Sequence, residues 1–251
     1  MISLKNKVSL ITGASRGIGR AAAIMFAEAG SDVIINYRRE TKAAGEVKRE
    51  CEKHGVRVMM VQADIADRDQ VNRMVDDVIK EFGRIDILVN NAGIWEYNAI
   101  DKMDEARLKA ALDINLLGTF YPTMAVVPHM KKQKSGNIIN ISSTAGQRGE
   151  AFHSPYAATK GAVISLTKSL GPELIKDNIR VNCVAPGWVD TDMSRESLES
   201  DEVDDILRLI PVGRVGTPEE IAGPILFLAS DLSTFIVGEI LNVNGGAVLC
   251  G

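Results

Sequence analysis

Tyr156 and Lys160 stand four residues apart in Tyr156-Ala157-Ala158-Thr159-Lys160, at the head of a strongly periodic stretch. On a helix that spacing stacks both side chains on one face. A tyrosine titrates near about 10, so donating and recovering a proton at neutral pH needs a nearby cation, and Lys160 can supply it. Upstream, Ser143 follows an apolar run, where its hydroxyl could hydrogen-bond a substrate carbonyl and the alkoxide developing from it. The three residues would make a proton-transfer centre, although a Tyr and a Lys on one helix face also suit a solvated surface pair.

A second chemical signal lies near the start, in Thr12-Gly13-Ala14-Ser15-Arg16-Gly17-Ile18-Gly19. Glycines after a strand let the backbone turn sharply and approach a pyrophosphate, whose charge the free N–H groups of a following helix favour. The spacing is Gly-x-x-x-Gly-x-Gly rather than Gly-x-Gly-x-x-Gly, so the turn alone leaves simple turn geometry open. Where an NAD site presents an acid to the ribose, this chain reads Asn36-Tyr37-Arg38-Arg39, and Arg16 sits in the glycine turn. Guanidinium groups suit a 2′-phosphate, which makes NADP(H) the expected cofactor and NAD(H) the weaker candidate. Asp64 could accept from an adenine amino group and Asn90-Asn91-Ala92-Gly93 could border a flat ring; both also suit turns.

The elements that must position these residues follow from hydrophobic patterning. Short β-branched runs at 8–12, 33–37, 56–62, 85–89, 137–141, 180–184 and 240–243 predict seven strands. Stretches with helical spacing separate them, such as Ala22, Met25, Phe26 and Ala29, or Val71, Met74, Val75, Val78 and Phe82. Apolar strands alternating with amphipathic helices predict an α/β, doubly wound, Rossmann-like fold with a seven-stranded parallel sheet. No linker or repeat interrupts the rhythm, so residues 1–251 read as a single dinucleotide-binding catalytic domain. Thr217-Pro218-Glu219-Glu220 signals a capped helix start. The segment 191–214, rich in acids from Glu196 to Asp205, falls out of rhythm after the sixth strand and would lie over the crevice as a lid.

Charge and composition narrow the function further. With 29 Lys and Arg against 33 Asp and Glu, the net charge of −4 argues against nucleic-acid binding. The opening residues read as a first strand rather than a signal peptide, and 222–229, broken by Gly223 and Pro224, is too short to span a membrane. Cys51, Cys183 and Cys250 form no Cys-x-x-Cys pair and leave one thiol over, which favours a reducing, cytoplasmic setting. His54, His129 and His153 have no ligand spacing, so no metal is expected.

Taken in order, Thr12-Gly13-x3-Gly17-x-Gly19, Asp64, Asn90-Asn91-Ala92-Gly93, Asn115, Ser143, Tyr156-x3-Lys160 and Pro186-Gly187 with Thr191 resemble the short-chain dehydrogenase/reductase family over essentially the whole chain. The resemblance implies Tyr156 as general acid in reduction, with Lys160 holding the nicotinamide ribose and lowering the tyrosine pKa. It implies that Ser143 orients the carbonyl and that Asn115 anchors a water leading from Lys160 to solvent. The cofactor contacts it implies are Gly13, Ser15, Arg16, Gly17, Ile18 and Gly19, then Tyr37, Arg38, Asp64 and Ile65. Asn91, Ala92, Gly93, Tyr156, Lys160, Pro186, Gly187, Val189 and Thr191 complete them. A homotetramer is the family's usual assembly.

Within the family, Pro186-Gly187-Trp188-Val189-Asp190-Thr191-Asp192-Met193, Ile210-Pro211-Val212-Gly213-Arg214 and Val243-Asn244-Gly245-Gly246 are similar to the branch that reduces 3-oxoacyl thioesters on acyl carrier protein. That branch carries basic residues facing the acidic carrier where this chain has Lys131-Lys132-Gln133-Lys134. The expectation is an NADPH-dependent carbonyl reductase yielding the 3-hydroxyacyl thioester. Three departures stand beside it: Trp95-Glu96-Tyr97 after the Asn-Asn-Ala-Gly turn, Asp177 at a second carrier-facing position, and the acidic lid. They keep an NAD(P)-dependent sugar, polyol or small-alcohol dehydrogenase as the alternative, with a non-catalytic dinucleotide-binding homologue behind it. Gly171-Pro172 should kink or end the catalytic helix there.

Overall fold

A computed structural model of the chain describes residues 2–249 except Glu202, so Cys250 lies outside the described residues. The seven runs become β1 Val8–Ile11, β2 Asp32–Tyr37, β3 Val58–Gln62, β4 Ile87–Asn90, β5 Gly136–Ile141, β6 Ile179–Pro186 and β7 Ile240–Val243. They pair in parallel in the order β3-β2-β1-β4-β5-β6-β7, the doubly wound sheet that the alternation predicts. The helices are α1 Gly17–Glu28, α2 Thr41–Glu52, α3 Arg68–Phe82, α4 Glu105–Ala111, α5 Gly118–Gln133, α6 Thr144–Arg148, α7 Ser154–Leu174, α8 Arg195–Leu198, α9 Val203–Arg208 and α10 Pro218–Ala229.

Strand side chains alternate between faces. Ile11, Ile35, Val89, Ile139 and Val184 pack with α1 and α10 around Phe26, whereas Leu10, Ile34, Leu88, Ile138 and Val181 pack with α3 and α5 around Met74 and Met130. Burial on both faces is why these strands read as continuous apolar runs rather than alternating ones.

The chain lays β1, β2 and β3 outward in one direction and then returns to place β4 on the other side of β1. Crossovers leave the two sides on opposite faces, so the carboxyl ends of β1 and β4 part to form a crevice. Thr12 stitches its floor: the hydroxyl donates to the Val89 carbonyl at 3.3 Å and accepts from the Asn91 and Ala92 N–H groups at 3.0 and 3.1 Å. Beneath, Asn90 Nδ2 donates to Asn140 Oδ1 at 2.9 Å and Thr123 Oγ1 at 3.0 Å, and Asn140 Nδ2 donates to Thr167 Oγ1 at 2.9 Å. This buried ladder ties β4 and β5 to α5 and α7.

The capping box of α10 forms in both directions, Glu220 N–H to Thr217 Oγ1 and Thr217 N–H to the Glu220 carboxylate. Pro172, by contrast, does not stop α7 at its own position. The helix runs on to Leu174, whose burial in the core holds the last turn, and only then tightens into a 3₁₀ turn at Ile175–Asp177. The run Glu105–Gln133 is long and apolar enough to cross a membrane by length and composition, which the sequence reading did not anticipate. Here it packs on the sheet, burying Val126 and Met130 and hydrogen-bonding its buried Thr119 and Thr123 to its own carbonyls.

Arg180 closes the C-terminal end of α10. Its guanidinium donates to the carbonyls of Leu228, Ser230 and Ser233 and to Ser233 Oγ, at 2.8–3.1 Å. Arg180→Ala removes these charge-assisted bonds while leaving each carbonyl another donor, Asn137 Nδ2 on Leu228, Ser233 Oγ on Ser230 and Ile236 N–H on Ser233, and is expected to cost about 1–3 kcal/mol, lowering Tm by roughly 2–12 °C in a thermal melt.

Candidate active site

After β1 the backbone turns through Gly13 and Gly17, with φ of 62° and 53°, values that strain any residue with a side chain. α1 starts behind Arg16, an N-cap that makes no side-chain bond, and its first turn holds no acid. Among the described residues no side chain caps its leading N–H groups, and with the positive end of the helix dipole they form a cradle for an anion.

A cavity of about 410 Å³ opens at this point. Gly13, Ser15, Arg16, Gly17 and Ile18 line it from the turn, Tyr37 and Arg38 from the end of β2, and Asp64 and Ile65 from beyond β3. Asn91, Ala92 and Gly93 line it after β4, and Pro186, Gly187, Val189 and Thr191 at and after the end of β6. Gly19 is off the wall: it is buried in α1, where a Cβ would overlap the Gly13 carbonyl and the Asn91 amide, so its place is close helix packing. Asp64 has a turn bond from Ala66 N–H at 3.0 Å and an ion pair with Arg38 at 3.6 Å. Arg39, the second arginine of the run after β2, also reaches the wall.

The proton-transfer residues meet at the far end of the same cavity. Ser143 caps α6 by accepting from Ala145 N–H at 3.1 Å, and Tyr156, in the first turn of α7, lines the same stretch of cavity, near enough to Ser143 for that hydroxyl to act on the phenol. One turn on, Lys160 Nζ donates to the Ile141 carbonyl at 2.8 Å and lies 5.8 Å from the Tyr156 ring centre. Ser142 Oγ, donating to the Lys160 carbonyl at 2.8 Å, and the bare Gly146, where a Cβ would come within 2.6 Å of that carbonyl carbon, bring α6 and α7 together.

Burial pushes Tyr156 up from 10.0 to about 12, helped by the charge of Glu150 and opposed by the Ser143 hydroxyl. Burial brings Lys160 down from 10.5 to about 8. The expected lowering of the phenol by Lys160 is therefore not what this arrangement produces: desolvation dominates, and the ammonium is aimed at Ile141. Asn115 stands one layer behind, in a π-helical segment Leu112–Leu117, with its amide bonded to both backbone groups of Ile94 at 2.8 and 2.9 Å and to Thr159 Oγ1 at 3.3 Å. Gly93 keeps the way open between Asn115 and Lys160, since a Cβ there would sit 3.2 Å from Asn115 Oδ1 and 3.5 Å from Lys160 Nζ.

The family model described as enoyl-(acyl carrier protein) reductase matches residues 13–248. The 3-oxoacyl-[acyl-carrier-protein] reductase of Synechocystis sp. is 43% identical over 250 residues, 99% of this chain and 100% of that one. The chain belongs to the short-chain dehydrogenase/reductase family. A 3-oxoacyl-[acyl-carrier-protein] reductase of Thermotoga maritima is likewise 43% identical over 246 residues, 98% of this chain and 99% of that one. A short-chain type dehydrogenase/reductase from Mycobacterium marinum, 35% identical, superposes with a TM-score of 0.94 over 99% of this chain and 98% of that one. As a short-chain dehydrogenase/reductase the chain is an oxidoreductase with an NAD(P)-type dinucleotide, and the glycine cradle and α1 N-terminus fit that group.

The cavity wall beside Ser143 and Tyr156 in this short-chain dehydrogenase/reductase is formed by residues whose contacts span long stretches of sequence. Trp95 stacks on His153, ring centres 4.2 Å apart and 5° from parallel, and meets Trp188 edge-on at 5.7 Å. Its indole N–H donates to Glu150 Oε2 at 3.2 Å. Trp95, Arg148, Glu150, Trp188 and Met193 all line the cavity beside Ser143 and Tyr156. Of these, Trp95 had a signal in the sequence as a bulky departure from the family pattern, and Trp188 and Met193 as members of the 186–193 stretch, whereas Arg148 and Glu150 had none. The 191–214 segment, whose residues 191–194 line the cavity, leaves at Asp190, whose N–H bonds the Gly216 carbonyl at 2.9 Å, while Gly216 N–H bonds the Trp188 carbonyl at 2.9 Å. That neck closes the base of the excursion carrying α8 and α9.

Proposed function

We propose that the protein is an NADPH-dependent 3-oxoacyl-[acyl-carrier-protein] reductase, working as one domain with the 191–214 excursion as its lid. The observation that carries this is the meeting of Ser143, Tyr156 and Lys160 at the switch-point crevice, in a chain alike over nearly its full length to reductases of that name. The glycine turn and α1 N-terminus would hold the pyrophosphate, Arg16, Arg38 and Arg39 the 2′-phosphate, and Thr191 the carboxamide. Bound there, the dinucleotide supplies the hydride for the carbonyl carbon. Ser143 holds the carbonyl oxygen, and Tyr156, protonated throughout the neutral range, gives it the proton that completes the alcohol. Lys160 positions the ribose, and the proton lost by Tyr156 returns through Lys160 and the Asn115 layer.

A sugar, polyol or small-alcohol dehydrogenase is the second reading, favoured by the Trp95, Trp188 and Glu150 wall. The carrier surface bears on the choice as well. Lys131 and Lys134 are ion-paired with Asp177 at 3.6 and 3.5 Å, which spends much of the basic run on the protein itself. Initial rates with NADPH and NADH, using an acetoacetyl thioester beside free ketones and sugars, decide between them. Strong NADPH-dependent turnover of the thioester supports the first reading, and turnover of sugars or small ketones alone supports the second.

The arginine argument has its own check. Arg38→Asp replaces a charge-assisted phosphate contact with repulsion and is expected to lower the NADPH-to-NADH ratio of kcat/KM by about 100-fold. An unchanged ratio removes Arg38 from the cofactor site. We take the protein to be a cytoplasmic homotetramer; a monomer in light scattering at micromolar concentration overturns the assembly.

A further inference from the structure

We propose that Glu150, oriented by the Trp95 indole, is a specificity-determining residue that accepts a hydrogen bond from the first amide N–H of a pantetheine-type thioester arm. The inference rests on the thioester reading above and adds the group that recognises the arm. Two loops build the subsite. Asn98 N–H donates to the Phe152 carbonyl at 2.7 Å and Tyr97 stacks on Phe152, which zips the segment after β4 to the one before α7. Trp95 and Glu150 are thereby fixed opposite each other on the cavity wall.

Glu150 is half-buried there, beside Ser143 and Tyr156, and close enough to Tyr156 for its charge to act on the phenol. A carboxylate offers about four acceptor sites. The Trp95 N–H takes one at 3.2 Å, and among the described residues no cation pairs with it. What remains is an acceptor held by the Trp95 N–H, whose indole meets Trp188 edge-on, with lone pairs open on the cavity side to a donor from the ligand. An acyl chain carries no donor. The arm does: two methylenes beyond the thioester sulfur stands an amide N–H, and the methylenes between suit the indole faces. The carboxylate also disfavours a free 3-oxo acid, whose own charge it would repel.

The test compares acetoacetyl-N-acetylcysteamine, which has that amide, with S-butyl acetothioacetate, which does not, under NADPH. The wild-type protein is expected to prefer the amide-bearing thioester in kcat/KM by about tenfold or more, the scale of a hydrogen bond to a charged group. Glu150→Leu should bring the ratio close to one, and Trp95→Phe, which removes the orienting N–H while keeping an aromatic ring on His153, should lower it by about threefold. Damage that affects both substrates alike cancels in the ratio, so a purely structural role leaves it unmoved and overturns the proposal. Preference for a hydroxyketone over its deoxy analogue, with none between the thioesters, overturns the amide assignment. Failure to reduce either thioester removes the thioester reading itself, and this inference with it.

Discussion

Tyr156→Phe is expected to lower kcat for carbonyl reduction by about 10²–10⁴-fold, the usual worth of a positioned general acid. The phenyl ring keeps its place in α7 and loses only the hydroxyl beside Ser143, so dinucleotide binding by fluorescence should persist. A variant retaining a tenth or more of the wild-type kcat would remove Tyr156 as the proton donor and return the Tyr-Lys pair to a structural role. The pH profile adds a directional check. Because burial holds Tyr156 at about 12, the acid form needed for reduction is complete at neutral pH, and loss of rate on the alkaline side should begin with Lys160, near 8. Alcohol oxidation needs the tyrosinate instead, so its rate should climb as pH rises.

The parts of the molecule legible in its sequence are those set by local patterning. Each strand is a short apolar run, each glycine turn follows one, and Thr217 announces α10 because a cap is decided within four residues. The switch point followed too, since alternation of strand and helix admits few arrangements. Ser143 and Tyr156 could be joined because one ends a strand and the other opens a helix at the same sheet edge.

What stayed hidden depends on contacts with no local trace. Glu150 is an unremarkable acid until the Trp95 indole, 55 positions away, is seen to hold it. The lysines of the 131–134 run read as a free basic patch until Asp177 is seen between two of them. The π-helical widening at Asn115 has no compositional signature, yet such widenings gather at functional sites. Pro172 marked the end of α7 to within two residues, the last turn running on to Leu174, whose burial holds it before the chain tightens into a 3₁₀ turn.

Lys160→Met should abolish turnover and yet make the protein, measured without dinucleotide at pH 7, more stable. Lys160 is 5% exposed, and burial has brought its pKa down from 10.5 to about 8. The sign follows from proton counts. Below pH 8 both folded and unfolded chains hold the proton, so the penalty of burying the charge is fully present, on the order of 3 kcal/mol for a shift of that size. Between about 8 and 10.5 the unfolded chain binds the extra proton, and wild-type stability rises with pH as the penalty is relieved. Methionine removes the charge but strands the Ile141 carbonyl that Lys160 now satisfies at 2.8 Å, returning about 1 kcal/mol. The net expectation is a Tm roughly 4–8 °C above wild type at pH 7, with the difference shrinking as pH approaches 10. A Tm difference that is negative at pH 7, or that does not change with pH, would mean that the buried ammonium is well solvated by its surroundings. The positive outcome would place Lys160 among residues kept for chemistry at the expense of stability, which is the pattern expected where a charge is held in the interior to move a proton.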